Sequence, residues 1–157
     1  MSKAARTMAV FINKGTPTVP DWLRFKKSTT LTIEYNPETE TFDYISDDVA
    51  TDEVMRYKPA FDQDFTIEKG YDDYEYFNDL RHELPVGEAA HRQVLTVDYN
   101  DGDNTDGYYA EVQDSVVSIT DYNTTDGKLN AHIAFCGNRK IGTCKIVSGV
   151  PTFTENE

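Results

Sequence analysis

The sequence predicts a mainly β, antiparallel fold with a single α-helix, and three observations point there. Apolar and polar residues alternate with period two in several short stretches. Helical spacing of apolar residues occurs once, and clusters of Asn, Asp, Gly and Pro separate the stretches. At 157 residues, with 38% apolar and 12% aromatic content, the chain is long enough for a sizeable core and is read as one domain over 1–157.

Residues 1–24 lack periodicity apart from a brief apolar stretch over 8–12. Gly15, Pro17 and Pro20 then interrupt any regular element, so this part reads as an extended arm, basic through residue 27. Trp22, the only tryptophan, stands with Leu23 and Phe25 before the first hairpin, as a core residue or as an anchor for a partner. In residues 28–46, Leu31, Ile33 and Tyr35 share one face of an extended chain, and Thr30, Thr32 and Glu34 the other. Asn36-Pro37-Glu38 is expected to reverse the chain, with Phe42 and Tyr44 on the aromatic face of the returning strand and Asp43 opposite.

Residues 46–69 begin as a long acidic loop, with Asp47, Asp48, Asp52 and Glu53 around few apolar positions and Lys58-Pro59 as an interruption. They end as a strand in which Phe61, Gln63, Phe65 and Ile67 share one parity. A loop of that length is either functional or mobile, and contacts made in an assembly are its expected role. Over 72–84 the spacing of Tyr74, Phe77, Leu80 and Leu84 predicts a helix, with Asp72 as cap, Glu75 three residues on, and Pro85 and Gly87 as the stop. One apolar stripe needs a sheet to cover.

Leu95, Val97 and Tyr99 open a second hairpin that returns over 108–120 through an Asn- and Asp-rich turn at 100–107. Apolar parity on the return strand changes from Ala110 and Val112 to Val117 and Ile119, which predicts a bulge near 114–116. Leu129, Ala131, Ile133 and Phe135 form a further strand, and Gly137-Asn138 a hairpin turn before a strand over 141–147. That turn would keep Cys136 and Cys144 apart, so both are expected as reduced thiols. The tail over 148–157 adds an edge strand or docks as an arm.

Charge narrows the function. Fifteen basic and 28 acidic residues give a net charge of -13, which argues against sequence-specific nucleic-acid binding and against anionic membranes. Residues 1–27 hold six basic groups and one acidic group, net +5, so the remainder is -18. Such polarity suits copies that meet head to tail. No apolar run reaches the length of a membrane span, and the N-terminus lacks the apolar centre of a secretion signal, so assembly in the cytosol is expected.

Catalytic motifs are missing. His82, His91 and His132 have no metal-ligand spacing, and no G-x-S-x-G, phosphate-binding loop or paired-cysteine motif occurs. The acidic residues alternate away from apolar faces, where nothing raises a carboxyl into the range of a general acid. The loop over 98–107 clusters carboxylates, yet neither frame of the calcium-binding helix-loop-helix pattern supplies its glycine and glutamate. An enzyme is not expected, and no cofactor or metal.

Several runs taken together carry a resemblance. Ile12-Asn13-Lys14-Gly15, Val19-Pro20-Asp21-Trp22-Leu23, residues 28–44 and Arg56-Tyr57-Lys58-Pro59 come first. Gly102-Asp103-Asn104-Thr105 before an aromatic strand, and the ending Gly149-Val150-Pro151-Thr152-Phe153-Thr154, complete the set. In this order they resemble the tail tube (major tail) proteins of long-tailed phages of Gram-positive bacteria. That resemblance implies a β-sandwich of two packed antiparallel sheets with one flanking α-helix, an extended N-terminal arm and a long loop. It also implies hexameric rings stacked head to tail into a hollow tube in the virion tail. DNA passes through without specific binding. The expected partners are other copies, a tail-tip initiator complex, a tape measure protein and a tail terminator, with no membrane and no catalytic residues.

Within that frame Thr30, Thr32, Glu34, Thr41 and Asp43 are candidates for the lumen face, where like charge would keep phosphate from adhering. Lys14, Trp22, Arg24, Lys26, Lys27, Asp47, Asp48, Asp52, Glu53, Arg56 and Lys58 are candidates for contacts between subunits, the long loop ordering as rings stack. Two other readings fit the residues. One is a calcium-assisted carbohydrate-binding sandwich using the 98–107 loop with Tyr108 and Tyr109. The other is a secretion-system tube protein.

Overall fold

The computed structural model describes residues 8–16, 18–25, 32–46 and 48–156. Among these residues the fold is mainly β, with two antiparallel sheets and one α-helix. In chain order the elements are β1 (Met8–Asn13), β2 (Trp22–Arg24), β3 (Pro37–Phe42), β4 (Thr51–Tyr57), β5 (Ala60–Thr66) and α1 (Asp72–Glu83). The remaining strands are β6 (His91–Asp103), β7 (Gly107–Asn123), β8 (Lys128–Val147) and β9 (Val150–Glu155). Seven strands form one sheet in the order β2-β1-β6-β7-β8-β5, with β9 on the other end of β8, while β3 and β4 pair only with each other.

β1 is the central surprise. Its residues 9–13 are all buried, because the strand has a core on each face. Val10 and Ile12 join Val94, Leu23 and α1 in the first core, whereas Ala9 and Phe11 join Leu95, Val97, Ala110, Val112 and Cys144 in the second. The expected arm is corrected where it is described: residues 9–13 are buried in β1 and 22–24 form β2, while 14–16 and 18–21 are exposed in a turn closed on Asn13, and residues 1–7, 26 and 27 of that arm lie outside the described residues. The Asn13 Oδ1 accepts from the backbone N–H groups of Gly15 (2.8 Å) and Asp21 (2.9 Å).

The first core lies between the β2-β1-β6 layer and a second layer made by β5, the start of β8 and the end of β7, so the two layers form a sandwich. α1 fills one side. Phe77 stacks on Phe65 at 4.3 Å, and Phe25 meets both rings edge-on at 5.1 and 5.5 Å. Full burial of each such ring is worth about 1.5–3 kcal/mol. Tyr74, Phe77 and Leu80 supply the buried stripe, but Leu84 does not. Leu84 ends the helix in the left-handed conformation (φ 48°), its N–H bonded to the Leu80 carbonyl, with its side chain exposed. The N-cap is Tyr71 rather than Asp72, and Glu75 accepts from Gly70 N–H.

The second core lies on the concave side of a curled β2-β1-β6-β7-β8-β9 surface. Trp22 from one end and Phe153 from the other pack on it, each half-buried. A tight turn at Ser148 and Gly149, both at positive φ, returns the chain into β9.

The expected bulge in β7 and turn at Gly137-Asn138 have a different basis. β6 and β7 stay in unbroken register from Leu95↔Val112 to His91↔Val116. The parity change in β7 instead records which face is covered: Tyr108, Ala110 and Val112 meet the second core, and Val117 and Ile119 the first. The extra residues are in β8, where Lys140, Gly137 and Phe135 oppose Val112, Asp114 and Ser115. Gly137-Asn138 is thus a bulge inside one strand of 20 residues.

Candidate assembly surface

β3 and β4 form a hairpin that contributes no side chain to either core. Every residue of β4 is exposed, and in β3 only Glu38 and Phe42 are half-buried. The expected reversal at Asn36-Pro37-Glu38 is corrected here. Asn36 sits at φ 46°, and Pro37 opens β3, which pairs forward with β4 across residues 43–50. A strand read as loop is the partner, because β4 is covered on neither face. From Ala60 onward the segment is the expected strand, β5, with Phe61, Gln63 and Phe65 buried on one face.

The hairpin is held at its root. Glu34 and Ala60 exchange two backbone hydrogen bonds of 2.8 Å, and Lys58 N–H donates to the Tyr35 carbonyl at 3.0 Å. Asn36 Nδ2 donates to the Lys58 carbonyl at 3.0 Å. Lys58 Nζ and Arg56 Nε meet the two oxygens of Glu38 at 2.6 and 3.2 Å. The Lys58 hydrogen bond, with the charges of Lys58 and Arg56, holds the Glu38 carboxyl below its usual range.

Toward the tip the character changes. Phe42 and Tyr44 stack at 5.8 Å, and Ile45, Val49, Val54, Met55 and Tyr57 are each more than half exposed, Ile45 completely so. Residues 40–53 carry six acidic side chains and no basic one. A lone two-stranded sheet with no covered face is marginal in water, and a run of exposed apolar side chains marks an interaction surface.

A groove of about 620 Å³ opens beside the root. Ile33, Tyr35 and Tyr57 wall it, Met8 and Phe135 extend the apolar lining, and Glu111 and Arg139 form an ion pair along its floor. The Glu111 hydrogen bond raises the Arg139 guanidinium pKa further. Burial, then the bond to Glu111 (3.0 Å), raises the Tyr109 phenol. Cys136 also lines the groove, exposed, its thiol pushed up by burial and by Asp114, the opposite of what a nucleophilic cysteine needs.

The structure brings the predicted site residues together differently from the expected division. Thr41 and Asp52, assigned to lumen and contact, face each other across one hairpin, the Thr41 hydroxyl 2.6 Å from the Asp52 carboxylate. Asp43 and Asp48 are exposed at its tip, Glu53 and Arg56 lie along β4, and Lys58 is at the root. Thr32 and Glu34 are exposed before the hairpin, outside any strand. Lys14 is exposed and pairs with Asp21 at 3.7 Å, and Arg24 sits on β2 with its guanidinium 5.9 Å from the Phe11 ring centroid. Thr30, Lys26, Lys27 and Asp47 lie outside the described residues. Sequence reasoning misses Ile45, Val54 and Met55. Val54-Met55 within an acidic run is the signal that marks them.

In the 98–107 segment Asp98 and Asp103 bond within the turn, and Asn104 bonds to β8. Asp98 accepts from Asn100 N–H, Asp103 from the N–H groups of Thr105 and Asp106, and Asn104 makes two bonds to Ile146. Among the described residues no group of three or more His, Cys, Asp or Glu is placed to hold a metal. On the face of β7–β9 turned away from the second core, Tyr109, Thr143 and Thr154 form one cross-strand row, with Lys145 beside Thr152.

No protein-family model and no curated protein matches the chain. Among solved structures, it is similar to the sheath/tube terminator of an extracellular contractile injection system (9% identity, 90% of this chain and 96% of that one, TM-score 0.48). It is also similar to the anti-feeding prophage tube-terminating cap (10% identity, 91% and 92%, TM-score 0.47). A chain of the anti-feeding prophage baseplate gives 7% identity, 90% and 95%, and a TM-score of 0.45. All three fall below a TM-score of 0.5, so the chain's own residues carry the functional reading.

Proposed function

We propose that this chain is the structural subunit of a phage-type tail tube, forming hexameric rings that stack head to tail around a channel for DNA. The observation that carries this is the β3–β4 sheet, uncovered on both faces and rich in exposed apolar residues, on a body whose two cores are closed. The ordered sequence resemblance to tail tube proteins supports the same reading. Stacking covers the hairpin, which the monomer leaves in water.

In this reading Thr41 and Asp43 move from the lumen set to the contact set, since they share a hairpin with Asp52, Glu53 and Arg56. The channel lining falls instead to the polar face with Tyr109, Thr143, Lys145, Thr152 and Thr154. The chain's net charge of -13 supplies the negative potential past which DNA slides. The subunit works in the virion tail after assembly in the host cytoplasm, alongside a tail-tip initiator, a tape measure protein and a terminator.

Negative-stain electron microscopy of the concentrated protein, with and without the tail-tip complex, tests this. Rings or hollow tubes of uniform diameter are expected. A protein that stays monomeric with the tail-tip complex present would overturn the proposal.

A further inference from the structure

We propose that the hairpin tip of one copy seats in the groove at the hairpin root of the next. This rests on the assembly reading above and names the acceptor surface that the reading leaves open. Three observations converge on it.

The first is geometry. Tyr35, Tyr57 and Lys58 belong both to the base of the hairpin and to the wall of the groove. Six extended residues of β3 put the tip about 20 Å from that base, so the tip cannot fold back into its own groove. Any tip that fills the groove comes from another copy.

The second is chemistry. The tip offers Ile45, fully exposed, with Val49 and the Phe42–Tyr44 stack. The groove offers Met8, Ile33, Tyr57 and Phe135 as apolar counterparts. The third is charge. Six carboxylates and no cation lie over residues 40–53, while the ion pairs at the groove and hairpin root join three cations, Arg56, Lys58 and Arg139, to two anions, Glu38 and Glu111, a surplus of one positive charge. Opposite potentials at the two ends fix the polarity of the contact.

Donor and acceptor are different surfaces, so the contact is heterologous. It propagates from copy to copy and does not close at a dimer.

Cys136 makes the contact testable, because it lines the groove and is exposed. The full chain carrying Ile45→Cys is assembled and then treated with a mild oxidant. The expected result is a ladder of covalent multimers on a non-reducing gel, with peptide mapping joining the introduced cysteine to Cys136. Adding Cys136→Ser should abolish the ladder. Separately, Ile45→Asp should raise the concentration needed for assembly about tenfold or more, with an unchanged fold by circular dichroism.

Tubes that form normally but give no ladder, or a ladder that survives Cys136→Ser or maps tip to tip, would overturn this contact and leave the tube reading standing. Failure of the unsubstituted chain to assemble with the tail-tip complex present would overturn both.

Discussion

Tyr74 and Tyr122 share a hydroxyl hydrogen bond of 3.1 Å where α1 meets β7, and the Arg81 guanidinium lies 3.9 Å from the centroid of the Tyr122 ring. Burial first, and then the bond to Tyr122, push Tyr74 up to about 12 from an ordinary value of 10.0. The folded state thus favours the neutral phenol. This stabilisation is complete below pH 10, where the unfolded side chain begins to ionise, and is lost as pH rises toward 12. Buried Cys144, pushed up to about 11 from 9.0, acts with the same sign in a lower window. Denaturant titrations across this range should show stability falling with pH, and Tyr74→Phe should flatten the part of the fall above pH 10. An unchanged slope in that variant would show that Tyr74 does not carry the effect.

Gly142 shows how an element depends on one position. A β-carbon there would collide with the Thr154 carbonyl oxygen of the paired β9, a backbone atom that cannot step aside. Gly142→Ala is therefore expected to push β9 off β8, uncover Phe153 over the second core and cost about 1–3 kcal/mol, measured by urea unfolding. A loss within error of zero would show that the β8–β9 pairing accommodates a methyl group. Legibility obeys the same logic of coverage. β5 alternates because one face is buried, and its strand was readable from Phe61, Gln63 and Phe65. β1 is covered on both faces and β4 on neither, so neither alternates, and periodicity missed both. In β7 the alternation was visible at Val112 and Val117, but only the structure distinguishes a bulge from a change of covered face. Gly137-Asn138 has turn chemistry, and β8 uses it to absorb extra residues without turning.

At the scale of the molecule, charge sets the terms of association. Each copy carries -13, so copies repel at a distance even where the proposed contact brings an acidic tip to Lys58 and Arg139. Salt shortens the reach of that repulsion from about 30 Å at 0.01 M to about 10 Å at 0.1 M. The concentration needed for assembly should fall over this range in light-scattering titrations. A rise would mean that pairing inside the contact outweighs the repulsion between bodies. The acidic, apolar-poor character of residues 46–53 was legible from composition. The groove was not, because Met8, Ile33, Tyr57, Phe135 and Arg139 are distant in sequence and meet only in the fold. The double-sided burial of β1 and β6 also bears on how the molecule comes apart. A strand that is wall to two cores cannot be released from one without opening the other, so the body yields as a single cooperative unit. The hairpin lies outside both cores and is fastened at its root, where Glu34 pairs with Ala60 and the Pro59 carbonyl accepts from Phe135 N–H, so it can unzip alone, and its amide protons exchange with solvent while those of β1 and β6 wait for global unfolding.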